Sequence, residues 1–312
     1  MQRERYQDVL NRNKLTGSIR TANEEPLDAL AITPLRHALA DHPLLQLDAL
    51  RQLARHFAAT SHVKLALPGR RIDSPFHTLS ESEAHRTVDE VFDGLETPGS
   101  WLALYYAEAQ PAYAELLRDA IGGFAKQIES VDPGISGLNM FIFIATSPTV
   151  TPFHIDRENN INLQIRGRKR WRIWEPDDRV AVPDEAIEEY FARDSLRKLR
   201  FQPEFEQRAR VLEVGPGDGV YLPATSAHAV DTEFTQQTAP RGQDAIAVNV
   251  AMTYFTDATR RRANLVLAQD FLRRRVGEGA VHTLPQWARY KLGRALVRSR
   301  QWLLRQPVPR GT

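Results

Sequence analysis

Near residue 137 the spacing of apolar residues changes from helical to alternate, and this change constrains the fold more than any other feature of the chain. Leu138, Met140, Ile142 and Ile144 alternate with Asn139, Phe141, Phe143 and Ala145. Ile161, Leu163 and Ile165 alternate with Asn160, Asn162 and Gln164. Ile246, Val248, Val250 and Met252 alternate with Ala247, Asn249 and Ala251. Successive strand residues point to opposite faces, so each segment has one apolar face and one polar or small face. Such strands suit a sandwich or barrel that packs on its outside and holds a ligand within. Arg166-Gly167-Arg168 can turn the chain into a further strand, Lys169 to Trp174.

Helical spacing governs both flanks. Residues 1–60 read as helical, with Leu45, Leu47, Leu50 and Leu53 as an apolar stripe. Asp73 to His85 reads as a polar loop leading into another helix. Ala109 to Phe124 reads as a helix with Pro111 in its first turn. Residues 176–210 are polar, charged and partly helical, and read as a long insertion at the rim. Helical spacing returns over 258–276 and 285–304.

Among 312 residues there is no cysteine, which excludes disulfides, thiolate metal sites and cysteine nucleophiles. The hydrophobic fraction of 42% supports a real core. The first residues have no apolar signal-like stretch, and no run of about eighteen apolar residues occurs, so a soluble, cytoplasmic protein without a membrane span is expected. The net charge of +2 hides an asymmetry. Residues 260–312 hold 13 lysines and arginines against Asp270 and Glu278, an excess of 11, which leaves −9 for the rest.

The chemistry concentrates in Thr151-Pro-Phe-His-Ile-Asp156. His154 and Asp156 are two residues apart, so on a strand or its end imidazole and carboxylate point the same way and can share a metal ion. His228, after Gly215-Pro-Gly-Asp-Gly and a short apolar strand, offers a third ligand. Two histidines and a carboxylate are the facial triad of non-haem Fe(II) oxygenases, which leaves positions open for co-substrate and oxygen. His-x-Asp alone also suits a strand-end pair that only bonds itself or a loop, so its neighbours matter. Lys169 suits the distal carboxylate of a dicarboxylic co-substrate or, as the bland alternative, a solvated strand lysine. Thr151 can donate to the same carboxylate. Asn160 and Asn249 can bond its chelating end, or be satisfied interior amides. The remaining histidines, His37, His42, His56, His62, His77, His85 and His282, lack metal-ligand spacing. Trp171 and Trp174 read as sheet packing.

Thr-Pro-x-His-x-Asp, then Asn160, then Lys169, with Gly217-Asp-Gly-Val-Tyr-Leu-Pro223 before His228, resembles the jumonji-C, cupin-like 2-oxoglutarate oxygenases. Within them it is most similar to the asparaginyl hydroxylases of the factor-inhibiting-HIF type. The detailed match covers residues 138–255. The resemblance implies a double-stranded β-helix, of the cupin or jelly-roll kind, wrapped by helices. Residues 1–136 would form an N-terminal helical region and the first barrel strands. Residues 137–257 would form the core with the metal site, and 258–312 the basic C-terminal helices. It also implies Fe(II) on His154, Asp156 and His228, and 2-oxoglutarate on Lys169, Thr151, Asn160 and Asn249. The expected reaction is hydroxylation with release of succinate and CO2. Where those hydroxylases carry bulky aromatics, this chain has Ala227, Ala229 and Ala251, so a wider pocket is expected and asparaginyl specificity does not transfer.

The substrate class stays open between a protein side chain, RNA and a small metabolite. For the basic helices, the expectation is a homodimer formed through their apolar stripes, as in the related hydroxylases, with nucleic-acid docking next. Two rival readings stand beside the oxygenase. One is a non-catalytic cupin-like regulator acting through these helices. The other is a metal-dependent cupin isomerase or hydrolase, which leaves Lys169 and both asparagines without a task.

Overall fold

In a computed structural model, residues 18–66, 70–76, 87–95, 99–232 and 246–304 are described. Twelve strands among them form two antiparallel sheets. The larger contains β1 (Ile19–Thr21), β2 (Thr33–His37), β3 (Val63–Ala66), β4 (Trp101–Leu104), β5 (Ser136–Thr146), β7 (Asn159–Arg166), β10 (Asp218–Leu222) and β12 (Ile246–Phe255), in the order β1-β2-β10-β7-β12-β5-β4-β3. The smaller contains β6 (Val150–His154), β8 (Lys169–Ile173), β9 (Arg210–Val214) and β11 (His228–Asp231), in the order β6-β11-β8-β9.

From β5 onward the chain repeatedly crosses between the sheets, which is the jelly-roll path. One crossing turns at Gly167, whose φ is +66° and where a Cβ would meet the Ile246 carbonyl at 2.7 Å. A side chain fits neither that conformation nor that space.

The alternation seen in the sequence sorts side chains as expected. Met140, Ile142 and Ile144 of β5, Ile161 and Leu163 of β7, and Val248, Val250 and Met252 of β12 are buried in one core. They share it with Leu50 and Leu53 of α1 (Leu47–Phe57) and Leu116, Phe124 and Ile128 of α3 (Pro111–Val131). The opposite-facing Phe141, Asn160, Asn162, Asn249 and Ala251 face a cavity. Burial of the apolar face drives sheet and helices together, and the polar face is left for a ligand.

The N-terminal flank departs from the helical expectation. Leu50 and Leu53 do lie on α1, but β1 and β2 extend the large sheet by pairing onto β10. Strands of three and five residues are too short to show a period. Residues 1–17 lie outside the described residues, as do His77 and His85. A short helix, α2 (Val88–Asp93), is capped by Thr87 and Glu90, each bonding the other's backbone N–H.

The segment between β8 and β9 is more than a rim loop. It contains α4 (Asp184–Arg193) and its own buried cluster, in which Trp174, Val182, Ile187 and Phe191 pack with Phe153. After β12 come α5 (Asp257–Arg275), α6 (Glu278–Thr283) and α7 (Gln286–Leu304). A methyl at Gly293 on α7 would overlap the Asn264 carbonyl on α5, so these helices touch backbone to backbone. No helix among the described residues is long and apolar enough to cross a membrane.

Candidate metal centre and its cavity

His154 ends β6, His228 begins β11, and the two are direct partners across the pair. Asp156 follows β6 by two residues. His154, Asp156 and His228 each present a ligand atom, all within 4.8 Å of one another, and His228 Nε2 lies 3.7 Å from Asp156 Oδ2. The sequence-predicted triad is therefore brought together.

Each imidazole is oriented by the backbone. His154 Nδ1 donates to the Pro152 carbonyl at 2.8 Å, and His228 Nδ1 to the Ser226 carbonyl at 3.1 Å. A carbonyl only accepts, so the proton sits on Nδ1 and the Nε2 lone pair is left for a metal. Burial, followed by the adjoining His228, pushes His154 down to about 3, so its ring is neutral at physiological pH. Phe76 stacks on His154 with centroids 3.9 Å apart, and Trp171 stacks on His228 at 5.6 Å. Asn160 Nδ2 donates to Asp156 Oδ2 at 2.9 Å and fixes the carboxylate. Two imidazoles with Nε2 left free and one oriented carboxylate fit a divalent transition metal.

The triad opens into a cavity of about 220 Å³ that also receives Thr151, Asn160, Lys169 and Asn249. The structure thus gathers every sequence-predicted site residue. Their bonds differ in detail: Asn249 Nδ2 donates to the Leu163 carbonyl at 3.1 Å, while Asn160 serves the metal carboxylate. Lys169 is 6% exposed, and burial pulls its ammonium down to about 8, with no carboxylate among the described residues acting on it. Asn160 Oδ1, Asn162 Nδ2 and Trp171 Nε1 are buried without hydrogen-bond partners among the described residues. Such groups are costly to bury unpaired, and a polar ligand in the cavity would satisfy them.

The sequence did not single out Asn162 or Glu158, nor Phe76 and Tyr190 from distant segments. It read Trp171 as packing alone, yet its indole also lines the cavity. Burial, with Asp156 beside it, raises the Glu158 carboxyl to about 7. The wide alanine-lined pocket is corrected. Ala227 and Ala229 lie in the cluster around Trp174, and only Ala251 of the three faces the cavity. Aromatic walls from Trp101, Tyr105, Phe141, Phe143 and Tyr190 fill the space instead.

A family model described as "Cupin-like domain" matches residues 48–260, about two thirds of the chain. The chain belongs to the cupin-like domain family. A Danio rerio HSPB1-associated protein 1 homolog is 26% identical over 209 residues, covering 59% of this cupin-like chain and 46% of the homolog. The chain therefore spans about half the length of that relative. Among solved structures, the Escherichia coli protein YcfD aligns with 97% of this chain and 68% of its own at 16% identity and a TM-score of 0.42. YcfD, described as a ribosomal oxygenase, was also solved with cobalt and 2-oxoglutarate. That structure aligns with 86% of this chain and 56% of its own at 17% identity and a TM-score of 0.40. Alignments of that size carry no information on chemistry.

Proposed function

We propose that this cupin-like domain is an Fe(II)- and 2-oxoglutarate-dependent oxygenase that hydroxylates a substrate with release of succinate and CO2. The observation that carries the reading is Lys169, a buried ammonium that has no carboxylate partner among the described residues and lies in the same cavity as the triad. A buried lone cation is costly, and a dicarboxylic acid supplies the missing anion. A metal-dependent isomerase or hydrolase would have no use for that cation.

His154, Asp156 and His228 would hold the iron. Lys169 would take the distal carboxylate of 2-oxoglutarate, with Thr151 beside it as a hydroxyl donor. The remaining amide N–H of Asn249 and of Asn160 would orient the chelating end. When bound, iron and 2-oxoglutarate together supply the oxidising power for C–H hydroxylation. The chain's own part is to bind, to orient and to exclude water. Phe76 and Trp171 cover the two imidazoles, and the aromatic walls leave little room for bulk solvent. Asparaginyl specificity is not carried over.

The test is anaerobic titration of the apo-protein with Fe(II) and 2-oxoglutarate, followed by oxygen and measurement of succinate. A weak visible charge-transfer band and succinate in the wild type, both lost in His154→Ala, are expected. Absence of any band overturns the triad assignment.

A further inference from the structure

A second cavity, of about 530 Å³, lies on the far side of β6 from the metal ligands. Phe153 and His154 are successive residues of that strand and point to opposite faces, so His154 lines the metal cavity and Phe153 the second one. Phe76 belongs to both. Its ring stacks on His154 with centroids 3.9 Å apart and also borders the second cavity. Pockets that bury a small molecule span about 300–1,000 Å³. The metal cavity, at about 220 Å³, falls short of that range and has 2-oxoglutarate to seat as well, whereas the second falls within it. A substrate therefore finds most of its room beyond Phe76.

Ile72, Phe76, Phe153, Leu196, Leu199 and Phe201 give this second cavity an apolar wall. Such a wall buries hydrocarbon well. It offers little to a peptide, each unit of which brings a donor and an acceptor that must be paired. The charges at the wall are of one sign once internal pairs are set aside. Asp73 pairs with Arg71 at 3.1 Å, and Arg197 pairs at 2.8 Å with Glu189, which Arg193 also holds. Arg200, exposed in the segment after α4, forms no ion pair among the described residues. An apolar wall with an uncommitted guanidinium at its edge is the complement of an apolar acid.

Building on the oxygenase reading, we propose that the second cavity seats the greater part of the substrate, and that this substrate is a small organic acid with a hydrocarbon tail. The acid group rests on Arg200 and the tail runs along Phe153 and Leu199. Its far end passes Phe76 toward the metal.

The test uses the full chain loaded with Mn(II) and 2-oxoglutarate, with loading measured on every variant. Three probes share one eight-carbon chain, namely octanoate, octanamide and octylammonium, and acetyl-Leu-Leu-Glu-amide serves as an acidic peptide. Calorimetry gives their affinities, and paramagnetic relaxation of the probe protons orders them by distance from Mn(II). Octanoate should bind about threefold tighter than octanamide, with octylammonium weaker still. Arg200→Glu should reverse the order of the two charged probes. Relaxation should be strongest at the terminal methyl of octanoate and weakest beside its carboxylate. The opposite gradient would put the acid on the metal itself and overturn the proposal. Absence of binding, equal affinity for the three chains, or a preference for octanoate that survives Arg200→Glu would do the same. Tighter binding of the peptide than of octanoate overturns the assignment of a small acid. Failure of Mn(II) to bind overturns the oxygenase reading and the substrate role that rests on it, whereas normal loading with any of the contrary results overturns this proposal alone.

Discussion

Arg262, on the first C-terminal helix α5, donates to the hydroxyl of Thr225 at 3.0 Å. Thr225 in turn donates its backbone N–H to the carbonyl of Asp156 at 2.9 Å, and it holds a φ of +68° that threonine rarely adopts. A basic helix outside the barrel therefore braces the turn that delivers His228 and meets Asp156. Replacing Arg262 with Met should cost about 1–3 kcal/mol of stability, because a buried hydroxyl loses its charged donor. It should also weaken Co(II) affinity, although Arg262 is no ligand. Urea unfolding and Co(II) titration of the variant check both, and unchanged metal affinity would refute the bracing role.

Lys169 should make the unliganded protein less stable than it could be. Its ammonium titrates near 10.5 when unfolded and at about 8 when folded. The unfolded chain binds more protons between those values, so stability should rise with pH from about 8 to about 10.5, and the full penalty is present at pH 7. Lys169→Met should therefore stabilise the apo-protein at pH 7 by about 1–3 kcal/mol while abolishing the thermal shift produced by 2-oxoglutarate. Melting curves at pH 7 and pH 10, with and without 2-oxoglutarate, give the answer. A destabilised variant at pH 7 would contradict the account.

The contact of α5 with α7 leaves no room at Gly293. Gly293→Val should push the helices apart and cost about 1–3 kcal/mol, since the Asn264 backbone cannot retreat as a flexible side chain would. Limited proteolysis should cut the variant after β12 sooner than the wild type. Equal cutting rates would mean that the helices tolerate separation.

A homodimer through the C-terminal helices is proposed from their exposed apolar groups, chiefly Val276 at 68% and Trp287 at 63% exposure. Light scattering should give twice the chain mass for the wild type and a monomer for Trp287→Glu. A monomeric wild type would dismiss the proposal.

The alternating segments made the two faces of β5, β7 and β12 legible, because burial on one side and a ligand on the other impose opposite chemistry on neighbouring residues. The triad was legible for a related reason. His154 and Asp156 share a side by spacing, and His228 follows a tight turn. Glu158 continues that spacing, His154, Asp156, Glu158, and could have been found by extending it two residues. Phe76 and Tyr190 carried no such signal, since only the folded chain brings a pre-barrel segment and α4 over the metal ligands. The strands β1 and β2 at one end of the large sheet were hidden by their brevity, and the pairing of β2 onto β10 is a tertiary fact. Ala227 and Ala229 misled because their neighbour His228 faces the cavity while they face the Trp174 cluster.

His154 and His228 stand opposite each other in one β-ladder, each held by a carbonyl two residues back. The spacing of these ligands is thus a property of the sheet and exists before any ion arrives. Stripping the metal should leave the barrel standing, and reloading should be a matter of seconds rather than of refolding. The protein would then take whichever divalent ion its surroundings offer, so that supply, more than the fold, decides which metal it carries.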